Sequence, residues 1–208
     1  MNTNKLLTAS ALIFGLIPAI GGAMELQVDP AHSSVGFDIK HLVVSTVHGN
    51  FSNFNGMIDL NEKDLAKSKV NFLVKADSIN TNNAKRDEHL KSADFFDVKK
   101  YPEAKFVSTA VHPAGKDKYS LEGDLTLHGV TKRIKFNLLS LGKIKDPYGV
   151  EKRMFQASTD LNRKDFGLTY NAALESGGVV LGESVKLTID VEAAPKTVSK
   201  EDLKRENA

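Results

Sequence analysis

The sequence predicts an all-β, mainly antiparallel fold, an eight-stranded barrel with one short helical insertion near residues 82–97. Apolar and polar residues alternate along most of the chain, which is the pattern of strands with one buried face. Turn-forming sequences such as Asp146-Pro147 and Gly177-Gly178 separate the alternating segments. Antiparallel strands remove their exposed edges by closing into a barrel or by stacking as a sandwich, and a closed barrel of eight strands has room for one small ligand.

The alternation is clearest in six segments, each of which places apolar side chains on one face. These segments are residues 34–43, 70–75, 121–128, 130–138, 155–161 and 184–191. Shorter apolar segments complete the set, at residues 26–28, 47–60 (one or two strands) and 106–111. The total is roughly eight strands, a number that suits a barrel or a sandwich.

The first 23 residues have the three parts of a secretory signal peptide. Lys5 supplies a positive charge, Leu6–Ile20 is apolar, and Gly21-Gly22-Ala23 provides small residues before a cleavage after Ala23. A transmembrane anchor is the alternative, but the apolar segment of about 15 residues is shorter than the ~20 that span a bilayer. We therefore expect a periplasmic or secreted protein with no integral membrane segment after cleavage.

Charge and composition narrow the partners of the remaining chain. We expect residues 24–194 to form one barrel domain and residues 195–208 to form a polar, mobile tail. The formal net charge of the whole chain is +2, and loss of Lys5 with the signal peptide leaves 2 − 1 = +1. Such a near-neutral balance gives no field that attracts nucleic acid or an anionic membrane. The chain has no cysteine, so neither disulfides nor a lipidated cysteine contributes.

A polar segment interrupts the strands between Thr81 and Pro102 and ends near the paired aromatics Phe95-Phe96. Between Asn82 and Ser92 only Ala84 and Leu90 are apolar, so a helix there has no apolar stripe to bury in a core. We expect it to lie across the surface or the mouth of the barrel.

The same segment carries residue types that suit recognition of a polar ligand head, namely Arg86, Asp87 and His89. An arginine fork binds phosphate or polarises a carbonyl. The alternative is a solvated helix face on which Asp87 and Lys91, four residues apart, form a surface ion pair.

A second polar cluster, Arg163-Lys164-Asp165-Phe166-Gly167, follows a predicted strand. It is typical of a capped turn, in which Asp165 accepts hydrogen bonds from main-chain amides and Gly167 takes a positive φ. A buried ion pair between Arg163 and an aspartate is a second interpretation, and a ligand contact of Arg163 is a third.

Patterns typical of catalytic and metal sites are missing from the sequence. No two of the six histidines are two, three or four positions apart, so no strand or helix offers a metal pair. The chain lacks a Gly-x-Ser-x-Gly elbow, a P-loop, a His-Glu-x-x-His motif and cysteine. We therefore predict no catalytic residues, no metal and no cofactor, and we interpret His128 as a turn histidine bonded to the main chain.

Four segments in this order resemble the YceI-like family of exported bacterial proteins. They are residues 32–56, 81–102, 123–132 and 162–167, with RDEHLKSADFFDVKKYP, GDLTLHGVTK and NRKDFG as the motifs, and the resemblance covers about residues 25–193. It implies a lipocalin-like antiparallel barrel with a long apolar tunnel for isoprenoid chains or similar amphiphiles. It further implies a periplasmic or secreted location and, often, a homodimer.

The resulting hypothesis is a non-enzymatic carrier of a polyisoprenoid, an isoprenoid quinone or a fatty amide. We expect the tunnel to be lined by Phe37, Ile39, Phe72, Val74, Phe106, Leu125, Phe136 and Phe155. For the polar head we expect Arg86, Asp87 and His89, with Arg163 second. The same apolar residues would also fill a packed, ligand-free barrel.

Two further functions stay open at this point. One is a structural or stress-related interaction module of the cell envelope with a filled barrel. The other is a hydrolase or isomerase of lipid head groups, with His89 or His128 as the base and Asp87 or Asp165 as its partner.

Overall fold

The computed structural model describes residues 24–42, 44–171 and 180–196. The predicted signal peptide and residues 197–208 of the predicted tail lie outside this part of the chain. The described residues form eleven strands and one α-helix. The strands are β1 (Met24–Val28), β2 (Ser34–His41), β3 (Ser45–Phe51), β4 (Phe54–Leu60), β5 (Lys69–Lys75), β6 (Ile79–Asn80), β7 (Glu103–Gly115), β8 (Lys118–Leu127), β9 (Val130–Lys145), β10 (Glu151–Asn162) and β11 (Leu181–Pro195), and the helix is α1 (Ala84–Lys91).

Eight of these strands close into an antiparallel ring, which confirms the predicted barrel. The ring order is β1-β4-β5-β7-β8-β9-β10-β11, and β1 pairs with β11 to close it. The closing register places Leu26 opposite Pro195 and Val28 opposite Ala193. No strand edge of the ring itself is left open, because every member has two neighbours.

The remaining three strands lengthen one side of the barrel. β2 pairs with β11 from Leu181 to Asp190, β3 pairs with β2, and β6 pairs with β3. Since β1 pairs with β4 and β2 with β3, the chain from β1 to β4 is one long hairpin whose two arms are each interrupted once. The sequence segments are fewer than the eleven strands because residues 47–60 form two strands, β3 and β4, and because no segment covers the two-residue strand β6.

Two clusters of buried apolar residues form the inner walls. One cluster joins β1, β2, β4, β10 and β11, and consists of Leu26, Val28, Val35, Phe54, Ile58, Leu60, Phe155 and Ala193. The other joins β7 to β10 and the turn that follows, and consists of Phe106, Val111, Leu121, Leu125, Phe136, Leu161 and Phe166. The inward residues of each strand recur with a period of two, as the sequence indicates.

The helix α1 begins where Asn83 accepts a hydrogen bond from the main-chain amide of Arg86, the standard way to cap a helix N-terminus. Within α1 only Asp87 is buried, in agreement with the polar composition of the segment. The helical part is shorter than the predicted insertion, because Ser92 leaves the helical conformation and the chain continues in turns to Tyr101. None of the helices in the described ranges is long and apolar enough to cross a membrane.

Candidate functional site: an apolar cavity with one polar end

The barrel encloses a cavity of about 470 Å³, within the range of small-molecule binding pockets. Every strand of the ring contributes to the wall: β1 supplies Val28, β4 and β9 supply two residues each, and the other five strands supply three or more. The interior is therefore not a packed core.

All eight residues predicted to line a tunnel lie on the cavity wall: Phe37, Ile39, Phe72, Val74, Phe106, Leu125, Phe136 and Phe155. Strand geometry explains this, because alternate residues point to opposite faces. On β2, Phe37 and Ile39 line the cavity, whereas the intervening Asp38 faces the outside and contacts His48. That these residues touch a ligand stays a prediction.

The polar residues of the wall are concentrated at the end of the barrel where α1 lies, which we call the helix end. They are His41, Thr81, Arg86, His89, Arg163 and Tyr170, whereas the opposite end contributes Ser68 and Tyr119. A cavity with one polar and one apolar end fits an amphiphile in a single orientation, with its head at the helix end.

Arg86 and Asp87 are joined through Thr81. The Nε of Arg86 donates to Thr81 Oγ1 at 2.7 Å and its Nη2 donates to the Thr81 carbonyl at 2.8 Å. Asp87 Oδ1 accepts from the Thr81 hydroxyl at 2.5 Å and from the Thr81 amide at 2.9 Å. Thr81 thus links the two charges and fixes the start of α1 to the strand before it.

This arrangement places Asp87 differently from the sequence-based expectations. Asp87 is buried and is absent from the cavity wall, so three of the four predicted head residues, Arg86, His89 and Arg163, lie on the wall. Nor does Asp87 form the surface ion pair with Lys91, because Lys91 pairs with Glu88 at 3.0 Å. The physical reason is Thr81, whose amide and hydroxyl offer Asp87 two buried donors.

His89 belongs to an aromatic cluster over the helix end. Its ring stands edge-on to Phe95 at 5.0 Å and to Tyr170 at 5.1 Å between centroids, and Phe95 lies 4.8 Å from Tyr170. Its Nε2 is 3.0 Å from Asp94 Oδ2. The cluster joins the α1 segment to the chain after β10. It contains Phe95, which is buried, whereas Phe96 packs against Phe51 on β3.

Arg163 begins a 3₁₀ helix, Arg163–Phe166, which Gly167 ends with a φ of 77°. Asn162, rather than Asp165, caps this turn by accepting from the Lys164 amide. Asp165 instead pairs with Lys132 at 3.3 Å. The predicted capped turn is present, although its capping residue was assigned wrongly from the sequence.

The guanidinium of Arg163 is buried and bonded to main-chain carbonyls. Its Nε donates to Gly182 O at 2.9 Å, and its Nη1 donates to Tyr170 O at 2.9 Å and to Leu168 O. The suggested ion pair with an aspartate is therefore wrong. Burial lowers the pKa of Arg163 from its ordinary value, an effect that the charge of Glu183 partly opposes.

The histidines do not assemble the catalytic pairs considered above. His128 has a φ of 51° and its Nδ1 lies 3.1 Å from the carbonyl of Phe166, which confirms a turn histidine bonded to the main chain. His89 has Asp94 beside it, whereas Asp87 is bonded to Thr81. Neither histidine thus has the acidic partner that the enzyme hypothesis assigned to it.

One cluster of possible metal ligands occurs in the described ranges, formed by Asp29, His32 and Glu192. Lys152 Nζ lies 3.5 Å from Asp29 and 3.2 Å from Glu192. The lysine supplies the positive charge that a cation would bring, so the cluster is satisfied as an ion-pair network.

The closed barrel and its apolar cavity define a ligand-binding β-barrel protein. Residues 26–193 match the YceI-like domain, and the chain belongs to the YceI-like family. A UPF0312 protein of Photorhabdus laumondii is 42% identical over 160 residues, covering 77% of this chain and 83% of its own length. A UPF0312 protein of Pseudomonas putida is 45% identical over 168 residues, covering 79% and 87%.

Solved structures share the fold. A YceI protein of Campylobacter jejuni is 35% identical, with a TM-score of 0.66 over 81% of this chain and 96% of its own. BcnA of Burkholderia cenocepacia has a TM-score of 0.70 at 21% identity, covering 79% and 98%. A polyisoprenoid-binding domain from Saccharophagus degradans has a TM-score of 0.59 at 14% identity, covering 83% and 99%. The last two show the fold alone.

Proposed function

We propose that the protein is an exported, non-enzymatic carrier that holds a long-chain apolar ligand in its barrel. Polyisoprenoids, isoprenoid quinones and fatty amides are the candidate ligands. The single observation that supports this most directly is the barrel cavity of about 470 Å³ with apolar walls and one polar end. A polyisoprenoid-binding domain with the same fold adds support for an isoprenoid-like ligand.

Binding energetics favour a protein that exchanges its lipid with a membrane over one that retains the lipid permanently. Each methylene removed from water contributes about 0.8 kcal/mol, so a long chain enters such a cavity readily from water. A bilayer solvates the same methylenes about equally well, so transfer from membrane to protein is close to thermoneutral. The balance suits shuttling or buffering of a lipid across an aqueous compartment, with the head group deciding which lipid is taken.

Location and assembly complete the proposal. The features of residues 1–23 support export to the periplasm or secretion. The family resemblance also implies a homodimer. Fractionation with and without residues 2–23, and sedimentation of the purified protein, measure these two properties.

Filling the cavity tests the carrier function with a matched control. Ala157 lies on the cavity wall, whereas the adjacent Gln156 is exposed and bonded to Asp190 on the outer face of β10. We expect Ala157→Phe to reduce uptake of a farnesyl- or oleyl-chain probe by delipidated protein at least tenfold, and Gln156→Phe to leave it unchanged. Equal uptake by both variants, with both folded, would contradict binding inside the barrel.

A further inference from the structure

The charged side chains that line the cavity are positive. Two arginines, Arg86 and Arg163, lie on it, and none of the described Asp or Glu residues does. A fixed charge acts more strongly beside an apolar, low-dielectric space than in water. The side chains of the wall therefore give the cavity a positive electrostatic potential. This potential attracts an anionic ligand but not a neutral one.

The two arginines differ in how far their charge is compensated. Arg86 is exposed, and Thr81 connects its Nε to the carboxylate of Asp87. Arg163 is only 5% exposed and donates to three main-chain carbonyls. Glu183 interacts electrostatically with Arg163, but Glu183 is itself paired with Lys164. Arg163 is thus the less compensated of the two.

One hydrogen-bond donor of Arg163 is also unpaired among the described residues. Its Nη2 is buried and has no hydrogen-bond partner among the residues that the structure describes. Leaving a buried donor of a charged group unpaired is costly, and such groups in native proteins call for an explanation, such as a bound ion or water. An arginine fork is shaped for carboxylate or phosphate oxygens.

We propose that the ligand is a single-chain amphiphile with an anionic head, a carboxylate or a phosphate, and that Arg163 is the counter-charge that selects it. The inference rests on the proposed carrier function and narrows its ligand class. Arg163 selects between ligands with the same chain and different heads. Neutral quinones and amides are then weaker ligands than anions of equal length.

Binding of chain-matched ligands to the delipidated full chain tests the proposal. Oleic acid, oleamide and oleyl alcohol form one series, and geranylgeranyl phosphate and geranylgeraniol form the other, each kept below its aggregation limit. A hydrogen bond to a charged group is worth roughly 1.5–3 kcal/mol, so we expect the anion of each series to bind about 10- to 100-fold tighter than the alcohol. The tighter of the two anions identifies carboxylate or phosphate as the preferred head.

Substitutions of the arginines test which residue causes the preference for anionic over neutral ligands. In Arg163→Gln we expect the anion preference to fall to about threefold or less while the alcohol still binds, and we expect Arg163→Lys to retain part of it. Arg86→Gln should lower the preference by a smaller factor. Arg133→Gln, which removes an arginine paired with Asp124 on the outer surface, is the matched control and should behave like the native protein.

The possible outcomes test separately the anionic ligand class, the carrier function and the role of Arg163. Equal affinity of native protein for acid and alcohol overturns the anionic ligand class and leaves the carrier function standing. Failure to bind either series contradicts the carrier function itself. A preference that survives in Arg163→Gln and disappears in Arg86→Gln overturns the role of Arg163. If neither Arg163 variant folds, a preference retained in Arg86→Gln supports Arg163, and a preference lost there contradicts it.

Discussion

Two buried arginines at opposite ends of the barrel are held in contrasting ways. Arg153 and Arg163 are each 5% exposed. Arg153 lies away from the cavity and pairs with the carboxylates of Glu62 and Glu151, the latter at 2.8 Å from its Nη1. Arg163 lies on the cavity wall, and its hydrogen bonds to described residues all go to main-chain carbonyls.

The contrast corresponds to the difference between a structural charge and the ligand-binding charge proposed above. A buried charge is retained at low cost when carboxylates compensate it, as they do for Arg153. Among the residues that the structure describes, no carboxylate pairs with Arg163, although its burial is the same. Both guanidinium groups keep one buried nitrogen without a hydrogen bond, Nη1 of Arg153 and Nη2 of Arg163, but only Arg153 has carboxylates within ion-pair distance among the described residues. A negatively charged partner from outside therefore adds most at the helix end.

The largest expected effect is on stabilisation by ligand. Oleic acid at 100 times its dissociation constant should raise the free energy of unfolding of native protein by about 2.7 kcal/mol. At the same concentration, a 10- to 100-fold weaker affinity in Arg163→Gln would reduce the gain to about 0.4–1.4 kcal/mol. Urea unfolding with and without oleic acid measures this.

Arg153→Gln is the control for that experiment, since Arg153 has the same burial and no contact with the cavity. Its ligand-induced gain should equal that of the native protein, whatever its own stability. A reduced gain in both variants would remove the distinction between the two arginines.

The next effect is on stability without ligand. Replacing both partners of Arg153, in Glu62→Gln with Glu151→Gln, leaves a buried cation uncompensated. Because the two carboxylates are 45% and 38% exposed, the loss should be about 2 kcal/mol rather than the full value for a deeply buried pair. Asp124→Asn, which breaks the exposed pair with Arg133, should cost less than about 1 kcal/mol.

A smaller loss is expected from the link between Arg86 and Asp87. Thr81→Val keeps the side-chain shape but removes the hydroxyl that bonds to both residues. The cost should be about 1–2 kcal/mol, since the Thr81 amide is then the one donor to Asp87 among the described residues. Thr126→Val removes an exposed hydroxyl 2.7 Å from Thr131, and an equally large loss there would show that the Thr81 contacts are unimportant.

The smallest effect is a pH dependence at the end opposite α1. The hydrogen bond with Asp29 raises the pKa of His32 above 6.5 and lowers the pKa of Asp29 below 3.8. Stabilisation from His32 is therefore complete below its unfolded pKa and is lost as the pH rises through the folded pKa. Stabilisation from Asp29 is present above its unfolded pKa and is lost as the pH falls.

His32→Asn isolates this contribution from the other charges that face it, Glu192 and Lys152. The difference in stability between native protein and variant should be larger near pH 5.5 than near pH 8.5, which brackets the raised pKa. A difference that grows toward high pH would reverse the assigned sign.

The sequence predicted the barrel and its wall because both depend on a local pattern. Alternation with a period of two assigns Phe37, Phe72 and Phe106 to one face without knowledge of the partners. The polar composition of α1 likewise predicted a position at the mouth, since such a helix has no face to bury. Whether the wall surrounds a cavity or a packed core depends on three-dimensional packing, which composition does not encode.

The head residues show where sequence reasoning fails. The role of Asp87 depends on Thr81, which bonds to it from the preceding turn. The partners of Arg163 are carbonyls of Leu168, Tyr170 and Gly182, and every residue type carries a carbonyl. No residue-type pattern could therefore have distinguished Arg163 from the compensated Arg153.

The most direct test of the central claim, a cavity occupied by one amphiphile, is native mass spectrometry of the protein purified from the envelope of its own host. The bound species is then extracted into solvent and its mass is measured. We predict one lipid per chain, with an apolar chain and a carboxylate or phosphate head. A mass equal to that of the bare chain, unchanged after incubation with anionic and neutral prenyl or oleyl lipids, would contradict the account.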